Sequence, residues 1–231
     1  MNPTTRTATI LLACGPAYAL LYVVTNDVVA AALIPSYDPM SQAVSELSAI
    51  GSPARLFLLA MVPVSTGLLA AFGLGVRRAA GGRRALRVAG DLLVATAAVG
   101  LLWLPFPMTA RADMVPGAMS VNDVGHIALT VVTVLLITAQ IATAAAAFGT
   151  GVRVYSAVTI AATLGFGALT GVLVGDIAAG GATPWMGFTE RVGIGAWLLW
   201  MVVLAALLLR EGRVTRPGVP VPPSTASAGP S

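Results

Sequence analysis

Six stretches of this chain are long and apolar enough to need hydrocarbon around them. They run roughly over Ala8–Val24, Leu56–Val76, Val88–Leu104, His126–Phe148, Tyr155–Val174 and Val192–Leu209. A helix needs about 20 mostly apolar residues to cross about 30 Å of hydrocarbon. The first and third stretches are shorter and borrow their flanks. All six are continuous rather than alternating, and Ala and Leu dominate several of them. A membrane barrel would instead show strands of about 10 residues with polar alternation. The sequence therefore predicts an all-α, polytopic transmembrane bundle of six helices.

Composition agrees. The chain is 57% hydrophobic and 10% charged, where a soluble domain is about 45–50% apolar and about 25% charged. That excludes an ordinary cytosolic enzyme, a nucleic-acid-binding module and a secreted disulfide scaffold. The expected organisation is a short cytoplasmic N-terminus over 1–7, a six-helix domain over 8–210, and a tail over 211–231. The tail is rich in Pro, Ser, Gly and Ala and carries too little apolar surface to fold. The first apolar run shares features with a signal peptide, with Arg6 before it and Ala30, Ala31 and Ala32 after it. Its apolar core is long for that, and it is read as a retained helix; cleavage would leave five spans.

The basic residues set the orientation. There are 13 of them, all Arg, against 9 acidic residues. One side of the membrane receives Arg6, the loop with Arg77, Arg78, Arg83, Arg84 and Arg87, then Arg153 and Arg210, Arg213 and Arg216. The other side receives only Arg55, Arg111 and Arg191. Positive residues stay cytoplasmic, so both termini are expected inside, in a bacterial inner membrane. The basic balance is thus a topology signal, and no nucleic-acid partner is expected. The acidic residues are biased the opposite way: Asp27, Asp38, Glu46, Asp113, Asp123, Asp176 and Glu190 fall outside. Either an acidic outer vestibule or ordinary solvated loops would produce that bias.

The candidate chemistry lies mostly on the outer side. In the first outer loop, Asp38 before Pro39 fits a helix N-cap and first helical position. Met40, Val44 and Leu47 then recur at helical spacing, and Gly51 and Pro53 end the pattern. This predicts a short amphipathic helix lying on the membrane or plugging the bundle mouth. Ser45 and Glu46 sit on it, as solvated or capping groups or as a site facing inward. Before the fourth span, Ser120 and Asp123 have the spacing of a capping box. His126, the only His, lies within one turn of Asn122 and Asp123. It could serve as an oriented base or as an interfacial hydrogen-bonding group. Before the sixth span, Trp185 and Phe188 suit the membrane interface, followed by Glu190 and Arg191. Arg191 runs against the charge bias and is expected to pair with Asp176, Glu46 or Asp123.

One His and one Cys do not make a zinc site of the usual kind, which draws on several such ligands. No EF-hand spacing occurs either. No metal and no cofactor is therefore expected. Cys14 lies in an apolar run and reads as packing. Gly167, Gly171 and Gly175, and likewise Gly67, Ala71 and Gly75, repeat every four residues, a spacing that lets helices approach closely within a bundle. Arg87 and Asp91 are one turn apart and are expected to pair.

These same residues carry a family resemblance. Tyr37-Asp38-Pro39, Ser45-Glu46-Leu47-Ser48 and Gly51-Ser52-Pro53 resemble the bacterial membrane family called domain of unknown function 998. So do Pro105-Phe106-Pro107, Gly125-His126, Gly187 and Glu190-Arg191. The resemblance covers roughly residues 8–210 and implies an integral membrane protein with no assigned activity.

The functional expectation is an outward-facing polar pocket lined by Glu46, Asp123, His126, Glu190 and Arg191. It would bind a lipid headgroup, a small solute or a membrane-protein partner. One alternative is an intramembrane hydrolase of lipids or esters. It would use Ser45 or Ser120 as nucleophile, His126 as base and Asp123 as orienter. No Gly-x-Ser-x-Gly elbow supports it. A second alternative is a transporter, which no duplicated half supports.

Overall fold

A computed structural model of the chain describes residues 3–115 and 117–214. The predicted tail beyond residue 214 and the first two residues lie outside the described part. Among the described residues six α-helices form: α1 Pro3–Val23, α2 Arg55–Ala79, α3 Arg84–Leu101, α4 Val121–Ala145, α5 Thr150–Ala178 and α6 Met186–Val214. Among the described residues there is no strand. Each helix packs on the next in sequence, and α6 packs back on α1, which closes the six into a ring. Apolar side chains fill its centre, with Leu12, Phe72, Leu93, Ile141 and Met201 in one buried cluster.

Five of these helices are long and apolar enough to cross a membrane. The exception is α3, which has 18 residues and carries Arg84, Arg87 and Asp91 in its first half. It is nevertheless packed between α2 and α4 along the ring. Close approach of α2 and α3 depends on two glycines. A Cβ on Gly73 would lie 2.7 Å from the Gly90 carbonyl, and a Cβ on Gly90 the same distance from the Gly73 carbonyl.

The glycine repeat of α5 behaves differently from expectation. A Cβ at Gly167, Gly171 or Gly175 would meet nothing within 4 Å. The face that α5 buries is hydroxylated instead. Ser156 Oγ accepts from Trp200 Nε1 at 3.1 Å, and Thr163 Oγ1 donates to the Gly193 carbonyl. Thr170 and Thr189 share a hydrogen bond of 2.9 Å. Hydroxyl side chains hydrogen-bond across packed membrane helices, and Gly167 shares their face, its N 3.9 Å from a Cβ placed on Gly193 of α6.

The expected Arg87–Asp91 pair is also replaced, since Asp91 pairs with Arg77 of α2. At the same end of the bundle Arg83 pairs with Glu211 at 2.8 Å and lies over the Phe148 ring.

The last turns after α1 are π-helical over Val24–Ala30. Thr25 Oγ1 donates to the Leu21 carbonyl at 2.8 Å, and Asn26 Nδ2 donates to the Tyr22 carbonyl at 2.9 Å. Those carbonyls would otherwise take the i+4 backbone N–H groups, so local side chains compete with the α pattern. The wider turn carries Asp27 towards α6.

Candidate functional site

The long connections 31–54, 102–120 and 179–185 meet at one end of the ring. The amphipathic helix expected in the first of them is absent. Only a five-residue 3-10 turn forms, Val44–Ser48. The reason is local and then tertiary. Asp38 does not cap a helix. Its carboxylate accepts from Met40 N at 3.0 Å and from Ser41 Oγ at 2.6 Å, closing a tight turn. These two donors hold the Asp38 carboxyl below the usual carboxylate range. The backbone groups that a helix would have paired internally are taken by charged side chains from other segments.

Arg191 takes several carbonyls. Its guanidinium donates to the carbonyls of Pro39 at 2.9 Å, Gln42 at 3.3 Å and Gly187 at 3.1 Å. It also donates to the Tyr37 hydroxyl at 2.8 Å. Its charge partner is Asp27, at 2.8 Å. The expected partners Asp176, Glu46 and Asp123 are not used, because the π turn after α1 brings Asp27 to α6 first. Its neighbour Glu190 accepts from Val44 N at 2.5 Å. Gly187 makes this contact possible, since a Cβ there would lie 2.2 Å from the Gln42 carbonyl and 2.3 Å from that of Pro39.

Glu46 is buried at 8% exposure, and a residue from the second connection neutralises it. Arg111 Nη2 donates to Glu46 Oε1 at 2.7 Å and Arg111 Nε to Oε2 at 3.0 Å. This is a two-point charged contact, stronger and more directional than a single one. The remaining carboxylate sites accept from Ala43 N at 2.8 Å and Gln42 Nε2 at 3.2 Å. Arg111 also reaches Thr183 Oγ1 at 2.7 Å and the Ser41 carbonyl at 3.3 Å. One guanidinium thus ties all three connections together.

Beside this pair lies a groove of about 520 Å³. Tyr37, Gln42, Glu46, Arg111 and Asp113 supply its polar lining, and Ile34, Ile50 and Pro53 its apolar wall. Burial pushes the Tyr37 phenol up to about 12, against the lowering pull of the Arg191 hydrogen bond.

Asp123 and His126 sit elsewhere. The capping box forms as expected: Ser120 Oγ accepts from Asp123 N at 3.1 Å, and the Asp123 carboxylate accepts from Ser120 N at 3.1 Å. The same carboxylate takes Thr109 N at 2.8 Å and Thr109 Oγ1 at 2.9 Å. It therefore stitches the second connection to α4. His126 Nδ1 faces the Phe106 carbonyl at 3.1 Å, and its ring meets Trp103 edge-on with centroids 4.5 Å apart. The expected Asp123–His126 alignment is not made, because both groups are engaged by residues 103–109. Gly125 permits that, as a Cβ there would lie 2.4 Å from the Phe106 ring.

The five expected pocket residues thus fall into three settings. Glu46 lines the groove. Glu190 and Arg191 hold the first connection from behind. Asp123 and His126 anchor the second. Ser45 belongs to the 3-10 turn, and its carbonyl accepts from Ser48 Oγ at 3.2 Å. Among the described residues no group of three His, Cys, Asp or Glu side chains is placed to hold a metal ion. The sequence reading missed Arg111 and Asp27 as site residues. Arg111 carried a usable signal, since it is one of three arginines on the arginine-poor side.

The segments that converge here are those that carried the resemblance. A family model described as "Protein of unknown function (DUF998)" matches residues 16–207. The chain belongs to this family. In this DUF998 protein the matched region takes in every contact of the interlocked connections described above. Comparison with curated proteins and with solved structures produced no match.

Proposed function

We propose that this multi-pass membrane protein is a binding protein of a bacterial inner membrane, with the groove beside Glu46 and Arg111 facing outward. In this reading the chain crosses six times and both termini are cytoplasmic. The arginine distribution supports the orientation. Helix α3 supports the sixth crossing: 18 residues rise ~27 Å, close to the hydrocarbon thickness.

The observation that carries the reading is the groove itself. Its wall contains a nearly buried carboxylate held by a guanidinium, so the pair presents fixed polarity beside apolar residues. Small-ligand sites have this character, mostly apolar with a few placed polar groups. The ligand class is a lipid headgroup or a small solute.

Two other readings draw less support. A hydrolase through His126 needs an orienter, yet the Asp123 carboxylate is taken by Ser120 and Thr109 and His126 Nδ1 by Phe106. A transporter would need a path through the bundle, and the groove is confined to the interlocked connections.

The test is Ala112→Trp, which fills the groove from an exposed wall position. Mass spectrometry of gently purified protein should find a small molecule retained by the wild type and lost in this variant, with the melting temperature unchanged. Equal retention by both would overturn the reading.

A further inference from the structure

The polar groups around the groove are not equally available. The four hydrogen bonds that Glu46 accepts come from Ala43, Gln42 and, twice, Arg111. The Gln42 carboxamide donates to Glu46 and accepts from Asp38 N. The Tyr37 hydroxyl accepts from Arg191 and donates to the Ala43 carbonyl at 2.9 Å.

Two polar groups remain, one carboxylate and one N–H of the guanidinium that neutralises Glu46. Among the described residues the Asp113 carboxylate has no ion-pair partner, and Asp113 is exposed. Arg111 spends four of its five N–H groups, on Glu46 twice, on Thr183 and on Ser41, which leaves one on Nη1. Arg111 and Asp113 belong to one 3-10 turn and both line the groove. The lining also has an apolar part, with Ile34, Pro53 and an Ile50 that is 45% exposed.

We propose that the groove holds the headgroup of a phospholipid bearing a primary ammonium, with the ammonium on Asp113 and the phosphate on Arg111. The assignment rests on the reading of the groove as a binding site. A zwitterion satisfies both unspent groups. An anionic headgroup satisfies only Arg111 and is repelled by Asp113. A trimethylammonium headgroup carries the right charge but has no N–H to donate to a carboxylate, so it forfeits the charge-assisted hydrogen bond. The apolar wall receives the start of the acyl chains, which distinguishes a lipid from its water-soluble headgroup.

The experiment uses the full chain in detergent and four probes: phosphatidylethanolamine, phosphatidylcholine, phosphatidylglycerol and free phosphoethanolamine. Binding is measured by native mass spectrometry on the wild type and on Asp113→Asn. Asp113 makes no side-chain bond within the described structure, so this variant should melt like the wild type. Phosphatidylethanolamine should bind ~10-fold more tightly than the other three, a difference of about 1.4 kcal/mol. Asp113→Asn should reduce it to the level of phosphatidylglycerol. Equal binding of the three lipids, a preference for phosphatidylglycerol, or a preference that survives Asp113→Asn would overturn the proposal. Free phosphoethanolamine binding as tightly as the lipid would overturn the lipid source. If Ala112→Trp removes some other retained molecule while these probes fail, the groove reading stands and the headgroup assignment falls.

Discussion

The Glu46 carboxylate accepts two hydrogen bonds from the Arg111 guanidinium, across 65 residues of chain. The carboxylate is nearly buried, while the Arg111 side chain is 31% exposed. Removing one partner leaves the other charged and poorly solvated, which costs more than the pair contributes. A double-mutant cycle on Glu46→Gln and Arg111→Gln should show a coupling of about 1–3 kcal/mol in thermal unfolding. The Arg77–Asp91 pair at the other end is about half exposed on both partners, and Asp91→Asn should cost under about 1 kcal/mol. A coupling at Glu46–Arg111 no larger than that would show the interlock to be a surface contact.

Glycine substitutions should separate the interlock from the open face of α5. Gly187→Ala forces a Cβ against two backbone carbonyls of the first connection, and neither is a flexible side-chain end. Folded yield should fall sharply, and the melting temperature with it. Gly171→Ala meets nothing and should be neutral or slightly stabilising, since Ala is the better helix former. Equal effects in size-exclusion yield and melting would contradict the packing described.

Asp123→Ala removes the reciprocal cap of α4 and two bonds to Thr109. The expected loss is about 0.5–2 kcal/mol, the range measured for helix caps. His126→Gln should cost about 1 kcal/mol for the bond to the Phe106 carbonyl. Neither should alter ligand retention in the groove. Loss of retention in His126→Gln at unchanged melting temperature would return His126 to the site.

Tyr37 supplies a pH signature. Its folded-state pKa of about 12 lies above the ordinary phenol value of about 10. A raised pKa contributes stability that is complete below the unfolded value and is lost as pH rises through the folded one. The wild type should therefore lose melting temperature faster than Tyr37→Phe between about pH 10 and 12, and the two curves should run parallel below that window. Parallel curves throughout would mean the phenol is not buried against α6.

Much of the helical content was legible in the apolar runs, because a 20-residue oily stretch has few alternatives. The local cap at Ser120 and Asp123 was legible too, since its partners lie three residues apart. The first connection was misread from the same kind of pattern. Met40, Val44 and Leu47 do have helical spacing, and Val44 and Leu47 are buried. Yet that loop is shaped by Arg111, Glu190 and Arg191, whose positions only the ring of helices supplies.

Hydropathy and arginine placement by themselves determined that this is an all-helical chain made for a membrane, and where its polar chemistry gathers. Which charges meet was decided by tertiary structure alone. Asp27 rather than Asp176 reaches Arg191, and Arg111 rather than Arg191 neutralises Glu46. The physical reason is that hydropathy acts along the chain, residue by residue. Ion pairing depends on which side chains the packed helices bring within about 4 Å, and several carboxylates were equally plausible partners before the π turn and the glycine contacts chose among them.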